Sequence, residues 1–217
     1  MVNSSVAIES IAYGRGICQI EWIMKLNDTS SVLAFLKSRK SASAKAMTAP
    51  GPSSGQMADI LEIAARVPDH GKLAPWRFIL IEGDGRKRMG QGFVDIWAKN
   101  NPTYGAENLD FQRGLFMRAP VILVVVSIAQ VHGKIPVWEQ QLSSAAVCYN
   151  AVLAATALGF DAQWQSDWVA YDEDAKNVMG VAAHEKISGI IYIGTSTIPL
   201  EDRHRPDVAT LLTRIDS

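Results

Sequence analysis

A long helix that is apolar on nearly all of its faces is the feature that most constrains how this chain can fold. Pro136 is a favoured helix start, and the helical pattern runs on to Leu158, where Gly159 ends it. From Ala145 to Leu158 the polar residues are too few to make a solvent-facing side. Such a helix is normally buried at the centre of a domain or against a partner subunit.

The composition is that of a globular protein with balanced charge. The 217 residues are 48% hydrophobic and 20% charged, and 21 Lys and Arg against 22 Asp and Glu give a net charge of −1. The high apolar content excludes a disordered chain. The balanced charge excludes a surface committed to nucleic acid or to an anionic membrane. We therefore expect neither nucleic acid nor a membrane as a partner.

Cysteine usage and the N-terminus indicate a cytoplasmic protein. Cys18 and Cys148 are too few for a disulfide framework, and Cys148, in apolar company, is expected in the core. No basic segment followed by an unbroken apolar core begins the chain, so we expect no signal peptide. The run from Ala119 to Val126 is far shorter than the roughly 20 residues of a membrane-spanning helix.

Hydrophobic periodicity predicts helices and strands without strict βαβ alternation, which favours an α+β fold. Residues 28–217 are expected to form one domain, with 1–27 as a peripheral extension. The tail from Ser196 contains Arg203, His204 and Arg205 and is expected on the surface or on a partner. Strands are predicted at 76–81, 121–126, 161–165 and 187–193, and helices near 32–36, 60–67, 86–99, 107–118, 136–158 and 172–179.

Common catalytic and metal-binding patterns are missing from the sequence. Gly83-Asp84-Gly85 follows a strand, but Arg88 stands where a dinucleotide fingerprint needs glycine. The four histidines lack zinc-site spacing, and no Gly-x-Ser-x-Gly elbow occurs. We expect neither a metal ion nor a catalytic side chain.

Three polar segments remain as candidate ligand sites. Lys37 to Ser41 combines three cations and two hydroxyls, which suit a phosphate monoester but also fit a solvated charge run. Arg66 to Phe78 contains a helix end, a turn and a strand start. Ala162 to Trp168 is a polar and aromatic strand end, suited to stacking a planar ligand or to covering the core.

Taken in order along residues 30–205, these segments resemble the flavin-dependent nitroreductase family, particularly its short members. No single motif is specific, but six in the family's order are. The matching motifs are Arg39-Lys40-Ser41, Arg66-Val67-Pro68-Asp69-His70, Pro75-Trp76-Arg77-Phe78, Trp138-Glu139-Gln140, Gly159-Phe160 with Trp164-Gln165-Ser166, and Ile193-Gly194-Thr195.

The resemblance implies an α+β fold with a mostly antiparallel central sheet, flanked by helices, in an intertwined homodimer. It also implies FMN at two sites on the subunit interface, with NADH or NADPH as electron donor. The implied cofactor-binding residues are Arg39, Lys40 and Ser41 at the phosphate, Arg66 and His70 at that end or at the ribityl hydroxyls, Trp164, Gln165 and Ser166 along the ring or ribityl chain, and Pro75 and Trp76 at the ring from the other subunit.

This sequence departs from the family pattern at three positions. Lys40 stands where arginine is usual, so the charge is kept and the bidentate fork is lost. Ala74 replaces a polar residue that often precedes Pro-Trp, and one hydrogen bond to the ring edge is expected to be missing. Gln165 replaces a charged residue in the Trp-x-Ser segment, which is expected to alter the phosphate or nicotinamide end of the site.

The activity that the resemblance implies is a ping-pong cycle. A hydride passes from NAD(P)H to flavin N5, and a nitroaromatic, quinone or similar small-molecule acceptor then takes two electrons. Other flavin chemistry on the same scaffold, dehalogenation or flavin fragmentation, is the first alternative. A non-catalytic flavin carrier or sensor is the second, and a transferase that depends on Cys148 is the third.

Overall fold

The computed structural model describes residues 25–103 and 105–215; Cys18 and most of the expected peripheral extension lie outside them. The strands in these ranges are β1 (Met47–Thr48), β2 (Trp76–Glu82), β3 (Val121–Ser127), β4 (Asp161–Gln165) and β5 (Lys186–Ser196). The α-helices are α1 (Val32–Ser38), α2 (Ser54–Ala64), α3 (Asp84–Asn100), α4 (Ala106–Arg113), α5 (Val137–Ala157) and α6 (Glu173–Val178).

Strand β5 is the centre of the sheet. It pairs antiparallel with β3 and with β4 along its length, and with β1 at Thr195 and Ser196. Strand β2 pairs antiparallel with the other edge of β3. The expected α+β fold, with a mostly antiparallel sheet flanked by helices, is therefore confirmed.

Strand β3 is buried along its whole length, which agrees with its unbroken apolar sequence. Its alternate side chains enter two separate cores, one on each face of the sheet. Ile122, Val124 and Val126 pack in a cluster with residues of α3, whereas Val121, Leu123 and Val125 pack in a cluster with residues of α2 and α5. The layer of α2 and α5 is the one that positions the candidate site.

The boundaries of two helices differ from the sequence prediction. Helix α2 begins with the capping box that the spacing of Ser53 and Gln56 predicts, but it ends at Ala64, ahead of Pro68. Helix α4 ends at Arg113, because Gly114 closes it and a 3₁₀ turn, Leu115–Arg118, follows. The short strand β1 was not predicted, since two residues give no period to detect.

Helix α5 has one buried side and one exposed apolar side. Its buried residues, among them Val147 and Ala151, pack against β3, β4 and β5. Trp138, Leu142 and Tyr149 are exposed on the opposite side. Within one chain, the sheet therefore covers only part of this apolar helix.

The tail beyond β5 runs along the surface, as expected. Residues 201–215 are all exposed, and Val208, Leu211 and Ile215 are apolar. No helix in the described ranges combines the length and the apolar content needed to cross a membrane.

Candidate functional site

The cationic tract Arg39-Lys40-Ser41 follows directly on α1 and is held by two polar side chains. The Asn27 carboxamide accepts a hydrogen bond from the Lys40 backbone N–H at 2.8 Å and donates one to the Lys40 carbonyl at 3.1 Å. Ser38, buried at the end of α1, accepts a hydrogen bond from the Asp28 N–H at 2.8 Å. These bonds fix the backbone of the tract.

Neither cation of the tract forms an ion pair with a carboxylate among the described residues, although Asp202 lies near enough for the charge of Lys40 to lower its pKa. The guanidinium of Arg39 donates a hydrogen bond to Ser41 Oγ at 3.1 Å and lies 5.9 Å from the ring centroid of Tyr149 on α5. Lys40 Nζ donates to the Ser41 carbonyl at 3.3 Å. Two adjacent cations that form no ion pair have hydrogen-bond donors available for an anionic group such as a phosphate.

The C-terminal tail brings further cations to the same place. A cavity of about 480 Å³ lies between Lys40-Ser41 and the tail segment 196–203. Arg203 lines this cavity together with the acidic Glu201 and Asp202, and Arg205 donates a hydrogen bond to the Arg39 carbonyl at 3.4 Å. The hydrogen bond from the Arg203 N–H at 2.8 Å, followed by the bond from Arg205 at 2.7 Å, holds the pKa of Asp202 below its ordinary value, and the charge of Lys40 acts in the same direction. The sequence indicated these arginines only as surface or partner residues.

Strand β4 sends its predicted site residues to opposite faces of the sheet. Gln165 Nε2 donates to Gln163 Oε1 at 2.8 Å, and the same oxygen accepts the Ala44 N–H at 2.6 Å. Gln163, which the sequence did not single out, therefore links β4 to the segment after Ser41. Ser166 lies exposed beyond the strand end.

Trp164 lies on the α5 side of the sheet. Its indole is 39% exposed and packs, with the thiol of Cys148, against Gly189 of β5, where a Cβ would overlap the ring. A partly exposed indole of this kind offers a stacking surface to a planar ligand.

Helix α5 holds the segment from Arg66 to His70 through residues between Glu139 and Asn150. Asn150 Nδ2 donates to the Arg66 carbonyl at 3.2 Å, and Ser143 Oγ donates to the Pro68 carbonyl at 2.7 Å. His70 Nδ1 lies 2.7 Å from a carboxylate oxygen of Glu139. Each predicted residue of the segment is thereby placed against the same helix.

One turn of α5 brings several candidates together, and the structure leaves others apart. Residues 148–150 contact or adjoin Arg39, Arg66 and Trp164. His70 meets the helix ten residues earlier, at Glu139, which is about 15 Å along its axis. Consecutive residues of a helix point about 100° apart, so Arg39, Arg66 and Trp164 lie at one level of α5 but on different sides of it, whereas His70 lies at another level.

Pro75 and Trp76 lie far from this cluster within one chain. Trp76 pairs with Ser127, which pairs with Lys186, whereas Trp164 pairs with Ile191. Three strand spacings across the sheet and five residues along it separate the two tryptophan backbones by about 20 Å. One chain alone does not assemble the complete set of predicted residues.

Nucleophilic and metal chemistry have no support in the described part of the chain. Burial raises the pKa of the Cys148 thiol to about 12, so a thiolate is not formed near neutral pH. No group of three or more His, Cys, Asp or Glu residues with metal-binding geometry occurs in residues 25–103 and 105–215. The site is built from cations, hydroxyls, amides and an indole.

Comparison with known proteins gives a consistent result. The model of the nitroreductase family matches residues 36–195. YdjA of Escherichia coli K12, provisionally named an NAD(P)H nitroreductase, is 34% identical over 167 residues, which cover 75% of this chain and 87% of YdjA. A Haemophilus influenzae protein with the same provisional name is 34% identical over 164 residues, with the same coverage of 75% and 87%.

Solved structures agree on the fold. A nitroreductase-like family protein from Bacillus cereus superposes with a TM-score of 0.72 at 22% identity, covering 87% of this chain and 97% of that protein. A Bacteroides fragilis nitroreductase with bound FMN superposes with a TM-score of 0.63 at 19% identity, covering 85% and 98%.

Proposed function

The chain belongs to the nitroreductase family, and we propose that residues 28–217 form one FMN-binding domain that oxidises NAD(P)H and reduces a small-molecule acceptor. The acceptors that we propose are nitroaromatics, quinones or similar compounds, reduced in a ping-pong cycle. The names of the relatives support an NAD(P)H-dependent oxidoreductase, and the FMN in the Bacteroides fragilis structure supports the cofactor. We infer a cytoplasmic setting for the enzyme.

The observation that carries the proposal is the pair of cations at the end of α1, neither of which forms an ion pair with a carboxylate among the described residues. Arg39 offers guanidinium N–H groups and Lys40 an ammonium group, and Ser41 adds a hydroxyl 3.1 Å from Arg39. Arg203 lines the adjoining cavity. This donor set matches the charge and the acceptor oxygens of the FMN phosphate, so the residues present fit the cofactor.

The remaining predicted residues would contact the rest of the cofactor. Trp164 would lie against the isoalloxazine, and Gln165 and Ser166 would supply hydrogen bonds along the ring or the ribityl chain. Bound FMN supplies the redox chemistry, by accepting a hydride from the nicotinamide and returning two electrons to the acceptor. The chain's own residues bind and orient these molecules, and none needs to act as a nucleophile.

We propose that the site is completed in an intertwined homodimer. The exposed apolar side of α5, with Trp138, Leu142 and Tyr149, is a surface that a second copy would bury. The distance of about 20 Å between Trp76 and Trp164 along the sheet supports an approach by Pro75 and Trp76 of the partner subunit. Arg66 and His70 belong to the same continuous segment and would accompany them.

The direct test is the visible absorption spectrum of the purified full-length protein, before and after incubation with FMN and dialysis. We expect flavin absorption that NADH or NADPH bleaches, and that a nitroaromatic or quinone then restores. A colourless protein would contradict the cofactor. Flavin that no nicotinamide reduces would instead indicate a carrier or sensor. Sedimentation should give a dimer, and a monomer that binds FMN tightly would contradict an interfacial site.

A further inference from the structure

The imidazole of His70 has one of its two nitrogens committed to a carboxylate. Nδ1 lies 2.7 Å from Glu139 Oε2, and both side chains are partly exposed, at 63% and 45%. A carboxylate accepts hydrogen bonds, so Nδ1 must carry the proton of this bond. Within the described residues Nε2 has no hydrogen-bond partner. In the neutral ring, Nε2 is therefore an acceptor.

The turn that contains His70 is fixed in place from both sides. On one side, Ser143 of α5 donates a hydrogen bond to the Pro68 carbonyl at 2.7 Å. On the other side, Ile135 packs so closely against Gly71 that a Cβ would overlap it, and Gly71 adopts a φ of +75°. The position of the ring is therefore set by its surroundings.

Ile135 is itself held by the neighbour of Glu139 on α5. The buried Gln140 side chain donates to the carbonyls of Ile135 and Gln130, at 3.2 and 2.9 Å, and accepts the Gln130 N–H at 3.1 Å. Consecutive residues at the start of α5 thus act on His70 by two routes. Glu139 contacts the ring directly, and Gln140 secures the loop beneath the turn.

A cavity adjoins the ring on the exposed side of α5. It measures about 280 Å³ and is lined by His70, Glu139, Leu142 and Ser143 together with Pro68 and Ala146. Most of these neighbours are apolar or already hydrogen-bonded. His70 Nε2 and the second carboxylate oxygen of Glu139 are the acceptors on these two side chains without a hydrogen bond among the described residues, so a hydroxyl group in this cavity meets one or both of them.

We propose that Glu139 is a positioning residue that locks His70 in the Nδ1–H tautomer and so presents Nε2 as an acceptor to a ribityl hydroxyl of the cofactor. This inference rests on the proposed function for the identity of the ligand. The Nδ1–H tautomer of His70 does not depend on the proposed function, because it is a property of the protein alone.

The experiment is a long-range ¹H–¹⁵N spectrum of the full-length protein, labelled in its histidines, at a pH where the imidazoles are neutral. His70→Gln identifies the His70 signals. His132 is an internal reference, because its Nδ1 accepts the N–H groups of Lys134 and Ile135 at 3.2 and 3.1 Å and must therefore be unprotonated. We expect opposite tautomers for His70 and His132.

Glu139→Leu should return His70 to the Nε2–H tautomer that a free histidine side chain favours, whereas Glu139→Gln retains an acceptor oxygen and should preserve Nδ1–H. Glu107→Leu is the matched control, since it removes an acidic residue from the first turn of α4 instead. We expect Glu139→Leu to weaken FMN binding about three- to tenfold, and Glu107→Leu to leave it unchanged.

The inference is overturned if wild-type His70 is already the Nε2–H tautomer, or if Glu139→Leu changes neither the tautomer nor the FMN affinity. The wild-type spectrum decides the first point even where a variant fails to fold. Failure of the proposed function is distinguishable, because the protein would then bind no FMN at all while the two histidines still showed opposite tautomers.

Discussion

Arg39 and Arg77 are both half-buried arginines near the end of a secondary-structure element, yet they have opposite surroundings. Arg77 of β2 donates to both carboxylate oxygens of Glu185, at 2.8 and 2.6 Å, and to the Gly180 carbonyl at 2.8 Å. Arg39 has a hydroxyl and an aromatic ring as its neighbours. The first guanidinium is satisfied inside the protein, and the second is left with donors to spare.

This difference indicates that Arg77 stabilises the fold, whereas Arg39 is available to bind a ligand. Glu185 is buried to 9% side-chain exposure and also accepts the Ala182 N–H, so its pair with Arg77 joins β2 to the loop before β5. Removing Arg77 leaves the buried carboxylate of Glu185 without its ion-pair partner. Removing Arg39 leaves no such charge behind.

The largest effect is expected from Arg39→Ala. The variant loses a charge-assisted bond to the FMN phosphate, which should cost about 1.5–3 kcal/mol, or about 10- to 150-fold in Kd. The thermal stability of the FMN-free protein should change little. Flavin fluorescence titration and thermal unfolding provide the two measurements. Full cofactor occupancy and turnover in the variant would refute the phosphate assignment.

Glu185→Gln should show the reverse pattern. We expect the free energy of unfolding to fall by about 1–2 kcal/mol, because the amide gives up the charge that Arg77 pairs with, while FMN affinity stays within about twofold. Urea denaturation measures the first quantity. If the variant lost FMN affinity and kept its stability, the contrast between the two arginines would be wrong.

Acid should weaken the Arg77–Glu185 pair selectively. Hydrogen bonds from Arg77 lower the pKa of Glu185 to about 2, and the Ala182 N–H adds to this against the opposing effect of burial. In the unfolded chain the group titrates near 4.3. The lowered folded-state pKa means that the stabilisation is complete above about 4.3 and disappears as the pH falls towards 2. Denaturation curves should therefore show a flatter pH dependence for Glu185→Gln than for wild type.

Lys40→Arg should have the smallest effect. An arginine at this position supplies the bidentate guanidinium that lysine lacks. We therefore predict FMN binding about two- to fivefold tighter. The matched variant Lys37→Arg, at an exposed position in the last turn of α1, should leave the affinity unchanged. Equal effects of both substitutions would indicate general electrostatic attraction instead of a specific contact.

Much of the fold follows from local sequence. The six apolar residues of β3 are all buried, and the long helical pattern that begins at Pro136 becomes α5. What the sequence could not predict depends on contacts between distant segments. The exposed side of α5 is apolar like its buried side, so periodicity could not separate them.

The site was predictable in its residue types and not in its geometry. The cationic tract, the Trp164 segment and the His70 turn are all visible as motifs. The pairing of His70 with Glu139 joins residues 69 positions apart, and the link from Gln163 to Ala44 joins residues 119 positions apart. Such contacts are set by tertiary packing, and no local pattern in one sequence encodes them.

The missing side chain at Gly189 limits how this protein can be diversified. The indole of Trp164 occupies the space that even an alanine at that position would need, and Cys148 Sγ is only 2.9 Å away from the same point. A mutant library that seeks an altered acceptor range should therefore keep glycine at 189. The first effect of any side chain at 189 would be to displace the indole of Trp164.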